Sequence, residues 1–206
     1  MQRMQRMEES HGPAPLLVIV CGKPATGKTT LAARLAADLG LPLFTKDNLK
    51  ETLFDTLGSA DRAWSRRLGV ASMELLGHIA GTLVAAGQSL IVEANFSAEH
   101  ATPFYQSLVE RHGVRIAQVC LTAEPETILR RFEQRAASGE RHPGHVELAN
   151  MDEFRAALLH TPYAPLPLTG ALFVVDTTDF ATVDYERLLS ELRMVRDGAM
   201  TSNQTY

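Results

Sequence analysis

The stretch Leu16-Leu17-Val18-Ile19-Val20-Cys21-Gly22-Lys23-Pro24-Ala25-Thr26-Gly27-Lys28-Thr29-Thr30-Leu31-Ala32-Ala33-Arg34-Leu35 holds an unbroken apolar run, then Gly-x-x-x-x-Gly-Lys-Thr, then a helical pattern. Strand, glycine loop and helix in that order form a phosphate cradle. Gly22 and Gly27 let the backbone turn so that several N–H groups face one cavity. The helix opening near Lys28 adds its positive dipole end. Lys28 offers a mobile cation to the β- and γ-phosphates of a nucleoside triphosphate. Thr29 offers a hydroxyl to Mg²⁺, a hard ion that prefers oxygen, and Thr30 is placed for the α-phosphate. The expected nucleotide site is therefore Gly22, Lys23, Pro24, Ala25, Thr26, Gly27, Lys28, Thr29 and Thr30.

Working outward, apolar runs alternate with helical patterns. Residues 16–21, 41–45, 89–93, 114–121 and 172–176 read as strands. Helices are expected over 28–39, about 46–57, about 61–86, 97–112, 125 to about 137, about 151–160 and about 182–196. Five continuous apolar strands separated by helices specify a parallel sheet covered on both faces. Ligands of such sheets bind at the carboxyl ends of the strands, which selects residues 22–30, 46–47, 93–97, 122–124 and 176–179. One domain over 1–206 is expected, with an ordered core of about 15–197 and flexible tails. Residues 1–10 contain Arg3 and Arg6 without an adjoining apolar segment and read as a leader.

Hydrophobic residues make up 45% and charged residues 21% of the 206, as in an ordinary globular chain. A net charge of -4 argues against a general nucleic-acid or membrane-surface binder, though a local basic cleft is compatible with it. No apolar stretch of membrane-spanning length is read from the sequence. Cys21 and Cys120 both lie in apolar strand runs and read as buried free thiols of a reducing cytoplasm.

The chemistry is expected at the strand ends. Asp47 follows the second strand in Phe44-Thr45-Lys46-Asp47-Asn48-Leu49-Lys50, facing the place where the γ-phosphate must end. A carboxylate there can align an attacking hydroxyl and take its proton; the alternative is a helix N-cap. Lys50, three residues on, could hold an anionic group of an acceptor or simply be solvated. Glu93 closes the third strand and could orient the magnesium shell, with Asn95 pointing into the same mouth; both could instead cap the strand. Arg131 and Arg135 lie four apart on the helix after the fourth strand, and Arg141 and His142 follow in a Gly- and Pro-containing flap. Such arginines can neutralise charge on a migrating phosphoryl group and close the site to water, or belong to a charged helix face. His142 and His145 lack further ligands for a zinc set; His142 reads as a flap or substrate residue. Trp64 and the 73–83 stretch read as helix packing, and His78 as a core residue.

These residues resemble the P-loop kinases of the AAA_33 type, which look like chloramphenicol phosphotransferases, zeta toxins and the kinase domain of polynucleotide kinase. The match rests on Gly22 to Thr30, Asp47, Leu90 to Asn95, and Arg131, Arg135 and Arg141-His142-Pro143-Gly144-His145. It runs over roughly 16–196. The resemblance implies a P-loop NTPase three-layer α/β/α sandwich with a five-stranded parallel sheet in order 2-3-1-4-5 and a helical lid. It also implies ATP with Mg²⁺, and Asp47 as the acceptor-activating aspartate. Glu93 stands where an Asp is usual, and no acceptor motif is recognisable.

The reading is an ATP-dependent kinase acting on a hydroxyl of a small molecule. Lys28, Asp47, Arg131 and Arg135 are expected to be catalytic. Asp47, Lys50, Glu93, Asn95, Arg141 and His142 are expected to meet the acceptor, and Thr29 and Glu93 the Mg²⁺. A polynucleotide 5′-hydroxyl kinase needs a basic channel with stacking aromatics, against which the 6% aromatic content and net acidity weigh. A zeta-toxin-like nucleotide-sugar kinase is a further alternative. A partner-driven NTP hydrolase is the alternative from another class; no Asn-Lys-x-Asp guanine signature supports it. Intact Lys28, Thr29 and Asp47 argue against a module that binds nucleotide without turnover.

Overall fold

A computed structural model of the chain describes residues 14–139, 141–146, 148–199 and 204–205. Strand β1 (Leu16–Gly22) is buried at every residue. It lies between β3 (Leu90–Glu93) and β4 (Arg115–Thr122), and both faces are covered, which is why its apolar run has no polar alternation. β2 (Leu43–Thr45) pairs outside β3, and β5 (Ala171–Asp176) outside β4, all parallel. The order 2-3-1-4-5 is the expected one. A two-residue strand, β6 (Gln204–Thr205), adds parallel to β5. It corrects the reading of a wholly flexible C-terminal tail. The leader expected over 1–10 lies outside the described residues.

Among the described residues seven α-helices accompany the strands: α1 (Lys28–Leu39), α2 (Lys46–Leu57), α3 (Arg62–Ala85), α4 (Ala98–His112), α5 (Pro125–Ser138), α6 (Met151–His160) and α7 (Tyr185–Arg196). Successive strand side chains face opposite layers. Val18, Val20 and Phe173 pack under Leu31 and Leu35 of α1 and Leu188 and Leu192 of α7. Leu17, Ile19 and Val92 pack under Leu76 and Ala80 of α3 and Tyr105 and Leu108 of α4. A smaller cluster, Ile128, Phe132 and Leu158, joins α5 to α6 beside the strand tips, with Ala25 of the glycine loop against it. This pair is the helical lid.

Three local details differ from the sequence reading. α7 starts at Tyr185, not 182, because Phe180–Thr182 forms a 3₁₀ turn and the Asp184 side chain accepts from Arg187 N at 3.2 Å, capping the helix. α3 is long and apolar enough to cross a membrane by length and composition, with a mean hydropathy of 1.4. That corrects the absence of such a stretch read from the sequence. Leu76, Ala80 and Val84 nevertheless place α3 against the sheet as a core helix. His78 on the same helix is exposed rather than core. Cys21 and Cys120 sit opposite each other in register, buried and unbridged.

The turn out of β1 depends on Gly22, whose φ is +143°. A Cβ there would stand 2.4 Å from the Leu121 carbonyl oxygen, a backbone atom fixed in β4. Gly40, at φ +65°, has nothing within 4 Å of the same position. Gly22→Ala is therefore expected to cost about 2–4 kcal/mol in urea unfolding, against about 1 kcal/mol for Gly40→Ala. Equal costs would contradict the close approach to β4.

Candidate active site

A cleft of about 1260 Å³ opens at the carboxyl ends of the strands and runs from the glycine loop past α2 to α3 and α4. The loop is shaped by left-handed backbone at Ala25 (φ 64°) and Gly27 (φ 84°), the latter capping α1. One buried hydroxyl ties it to the sheet: Thr177 Oγ1 lies 2.8 Å from both the Thr26 and the Thr122 carbonyl oxygens. Pro24, Ala25, Gly27, Lys28, Thr29 and Thr30 line the cleft. Gly22, Lys23 and Thr26 do not reach its wall. Gly22 makes the turn, Thr26 Oγ1 donates to the Lys23 carbonyl at 2.8 Å, and Lys23 Nζ donates to the Leu158 carbonyl of α6 at 2.7 Å.

Lys28 is buried and folds back over its loop, Nζ donating to the Lys23 carbonyl at 2.9 Å. Burial pushes its ammonium pKa down, while Glu93 and Asp47 pull it back up. Thr29 Oγ1 donates to Glu93 Oε2 at 3.0 Å. Glu93 is buried at the tip of β3, opposite Thr45 of β2 and Val20 of β1. Burial lifts its carboxyl above the ordinary range, opposed by Lys28 and by the Thr29 hydroxyl. A hydroxyl and a carboxylate are hard oxygen donors, and one or two protein oxygens completed by phosphate and water suit Mg²⁺. Thr29 and Glu93 thus fit the expected metal. Among the described residues no group of three or more His, Cys, Asp or Glu surrounds a common point.

Asp47 does not cap α2. Thr45 does, its hydroxyl accepting from Asn48 N at 3.1 Å, which frees the Asp47 carboxylate to face the cleft. Its Oδ2 accepts from Arg141 Nη2 at 2.8 Å, and its Oδ1 meets Lys46 Nζ at 3.2 Å. Burial alone would raise its pKa. The nearby Lys46 and Arg141 outweigh that and hold the carboxyl far below the usual range. Arg141 comes from the lid and also meets Glu51 Oε1 at 3.3 Å.

Arg131 and Arg135 of α5 part company. Arg135 faces the phosphate end, close enough to Lys28 for their charges to repel. Arg131 turns toward the loop after β5, Nη2 donating to the Thr178 carbonyl at 3.1 Å with its guanidinium 5.6 Å from the Phe180 ring centre. That ring lies over Gly27, where an added Cβ would meet it at 2.3 Å. Phe180 and Thr177 were not singled out in the sequence. Nothing in local pattern distinguishes them, because their position depends on the β5 end meeting the loop. Asn95 is exposed at the cleft mouth.

Lys50 is not solvated. It is 5% exposed, lines the cleft, and donates to Ser65 Oγ at 2.9 Å. His142 does not line the cleft and sits in the lid loop, the flap place that its reading as a flap or substrate residue allowed. Its ring stacks on Phe54 at 5.1 Å and meets Asp55 Oδ1 at 3.2 Å, which pins the lid loop to α2. His145 is the inward histidine. Nε2 stands 2.9 Å from Glu51 Oε1, and Nδ1 is 3.2 Å from Arg141 Nη2. A neutral ring carrying its proton on Nε2 donates to Glu51 and accepts from Arg141, so both contacts are met without a charge. Burial, then Arg141, lowers its pKa to about 3.

That shift has a sign. The unfolded imidazole titrates near ~6.5, so between about pH 6.5 and 3 the unfolded chain binds the extra proton. Folding stability should fall on acidification, by about 2 kcal/mol near pH 5. Denaturant unfolding of His145→Gln should show a flatter profile over that window; an unchanged slope would place the titration elsewhere.

Comparison with known proteins agrees with this geometry. The model of the AAA_33 family, an AAA domain, matches residues 17–160. A presumptive kinase from Chloroflexus aurantiacus is 40% identical with a TM-score of 0.82, covering 88% of this chain and 98% of its own. Two more distant structures share the fold. A sugar kinase from Janibacter sp. is 18% identical, with a TM-score of 0.53 over 89% of this chain and 95% of its own. An APS kinase from Mycobacterium tuberculosis, in complex with AMPPNP and APS, is 16% identical, with a TM-score of 0.57 over 90% and 99%. No curated protein matches the chain. The glycine loop, the strand order and these likenesses together make the chain a member of the AAA_33 family, a P-loop kinase by type.

Proposed function

We propose that the protein transfers the γ-phosphoryl group of ATP, with Mg²⁺, to a hydroxyl of a small molecule in the cytoplasm. The observation that supports this reading is the placement of the Asp47 carboxylate. It opens onto the same cleft as Lys28 and the Thr29–Glu93 pair, with β3 between its strand and that of the phosphate loop.

The residues divide the work. Lys28 leaves the Lys23 carbonyl to hold β- and γ-oxygens, and the loop N–H groups cradle the same tail. Thr29 and Glu93 would hold Mg²⁺, which when bound offsets charge on the phosphoryl oxygens. Arg135 and Arg141 stabilise the charge of the migrating group. Arg131, beside Phe180, serves the base end of the nucleotide rather than the transfer itself. The new bond joins the acceptor oxygen to the γ-phosphorus. The bond from that phosphorus to the β–γ bridging oxygen breaks, and ADP leaves. A carboxylate held at low pKa is a weak base, so Asp47 chiefly aligns the hydroxyl and receives its proton late, as suits a loose transition state.

The test follows ADP and phosphorylated product over aminoglycosides, phenicols, macrolides, sugars, nucleosides and 5′-hydroxyl oligonucleotides. Asp47→Asn should lower acceptor-dependent transfer by about 10²–10⁴-fold while ATP still binds. Hydrolysis indifferent to every acceptor and to Asp47→Asn would replace the kinase with a partner-driven hydrolase. Oligonucleotide as the sole acceptor would replace the small molecule with a nucleic acid.

A further inference from the structure

Beyond Asp47, the cleft continues between α2 and α3 and holds a cation that the transfer chemistry leaves unused. Lys50 is 5% and Ser65 1% exposed. The Lys50 ammonium has one hydrogen bond, to Ser65 Oγ at 2.9 Å, and among the described residues no carboxylate stands within ion-pair distance. One side of it is covered by the Phe54 ring, whose centre is 5.1 Å away. On another side Gly69 lines the cleft, and a Cβ there would sit 3.8 Å from Nζ. Gly69 leaves that side of the ammonium without a side chain over it.

The carboxylates around it are already engaged by other cations. Asp47 is shared by Lys46 and Arg141. Arg62 and Arg66 both bind Glu153 of α6, at 2.9 and 2.6 Å. At this point of the cleft a buried ammonium and a buried hydroxyl remain, beside the positive excess that Arg62 and Arg66 keep over Glu153. An uncompensated buried cation is costly, and a ligand that supplies the missing anion recovers that cost on binding. An ammonium with a hydroxyl beside it can receive a carboxylate through charge-assisted hydrogen bonds. Asp47 and Lys50 are three residues apart on α2, with Cβ positions about 5–6 Å apart. An anion at Lys50 and a hydroxyl at Asp47 therefore belong to one compact molecule. Met73 and Phe104, which line the adjoining wall, can cover its carbon skeleton.

Resting on the kinase reading above, we propose that the acceptor is a small hydroxy acid whose carboxylate is received by Lys50 and Ser65 while its hydroxyl lies at Asp47. The phosphoryl group moves to that hydroxyl, and the carboxylate takes no part in the bond exchange. Gly69 is the specificity position that keeps Lys50 reachable.

The test is calorimetric binding in the presence of a non-hydrolysable ATP analogue and Mg²⁺. Glycerate, threonate and gluconate are compared with their neutral parent alcohols and with the phosphate monoesters of those alcohols. At least one acid should bind about 10- to 100-fold more tightly than its neutral parent, the margin of a charge-assisted hydrogen bond. Lys50→Met should erase that margin and leave the neutral parent unaffected. Without ligand, Lys50→Met should unfold at or above the wild-type temperature, since it removes an unpaired buried charge; this separates a lost anion site from a lost fold. Neutral or phosphorylated compounds binding as well as the acids, no acid binding at all, or an acid margin that survives Lys50→Met would overturn the proposal. Transfer to a neutral alcohol that is lost in Asp47→Asn would remove the hydroxy acid yet leave the kinase standing. With ATP in place of the analogue, an acid that binds through Lys50 but receives no phosphoryl group would overturn its role as acceptor, while the kinase reading falls only if no acceptor at all is phosphorylated.

Discussion

A buried ammonium is favoured by carboxylates close to it, and the glycine-loop end of the cleft is arranged around that constraint. Lys28 lies beneath the glycine loop, where burial favours its neutral form and the carboxylates of Glu93 and Asp47 favour the charged one. Glu93 reaches it from the tip of β3, and Asp47 from the first turn of α2. Both positions exist only because β1, β2 and β3 run parallel and end together. Moving one of the three charges alters the solvation and protonation of the other two. The sheet order is thus an electrostatic requirement of the cleft as well as a packing solution.

The lid enters the same balance. Arg141 neutralises Asp47 and Glu51 at once, and His145 completes the contact by staying uncharged. Phe54 supports both histidines, stacked on His142 and edge-on to His145. Gly144 is packed so closely on that ring that an added Cβ would fall 2.5 Å from it. The lid loop is therefore fastened to α2 by aromatic packing and presents its arginine to the cleft. A triphosphate would compete with Asp47 for Arg141, because a guanidinium binds phosphate oxygens as readily as carboxylate. Through this exchange, an anion held by the glycine loop would change the charge seen by Asp47.

The nucleotide half was legible in the sequence because it is built from contiguous backbone. Leu16 to Leu35 encodes strand, turn and helix within twenty residues, and each residue's role follows from its neighbours. The same holds for the extents of α2 over Lys46–Leu57 and α6 over Met151–His160, whose apolar spacing is local. What was not legible depends on distant chain segments. Thr45 rather than Asp47 caps α2, and only the three-dimensional turn decides between two good capping residues in sequence. Phe180 covers Gly27 across more than 150 positions, and Thr177 fastens the loop from a similar distance. His142 and His145 are equivalent by composition; the 3₁₀ turn at Pro143–His145 sends one outward onto Phe54 and the other inward to Glu51.

The acceptor half is illegible for a further reason. Its walls are side-chain faces of α2, α3 and α4, each of which also packs on the sheet, so a residue that meets a ligand and one that fills the core share the same helical spacing. Lys50 shows how the ambiguity is resolved. In sequence it is one more lysine on a helix, and most such lysines sit in water. Its burial beside Ser65 and Gly69 depends on the angle at which α3 crosses α2, which no local pattern states. A family that keeps the phosphate loop can change its acceptor by altering a few positions on these faces, because the fold requires of them only that the sheet side stay apolar. The loop, fixed by backbone geometry, has no comparable freedom.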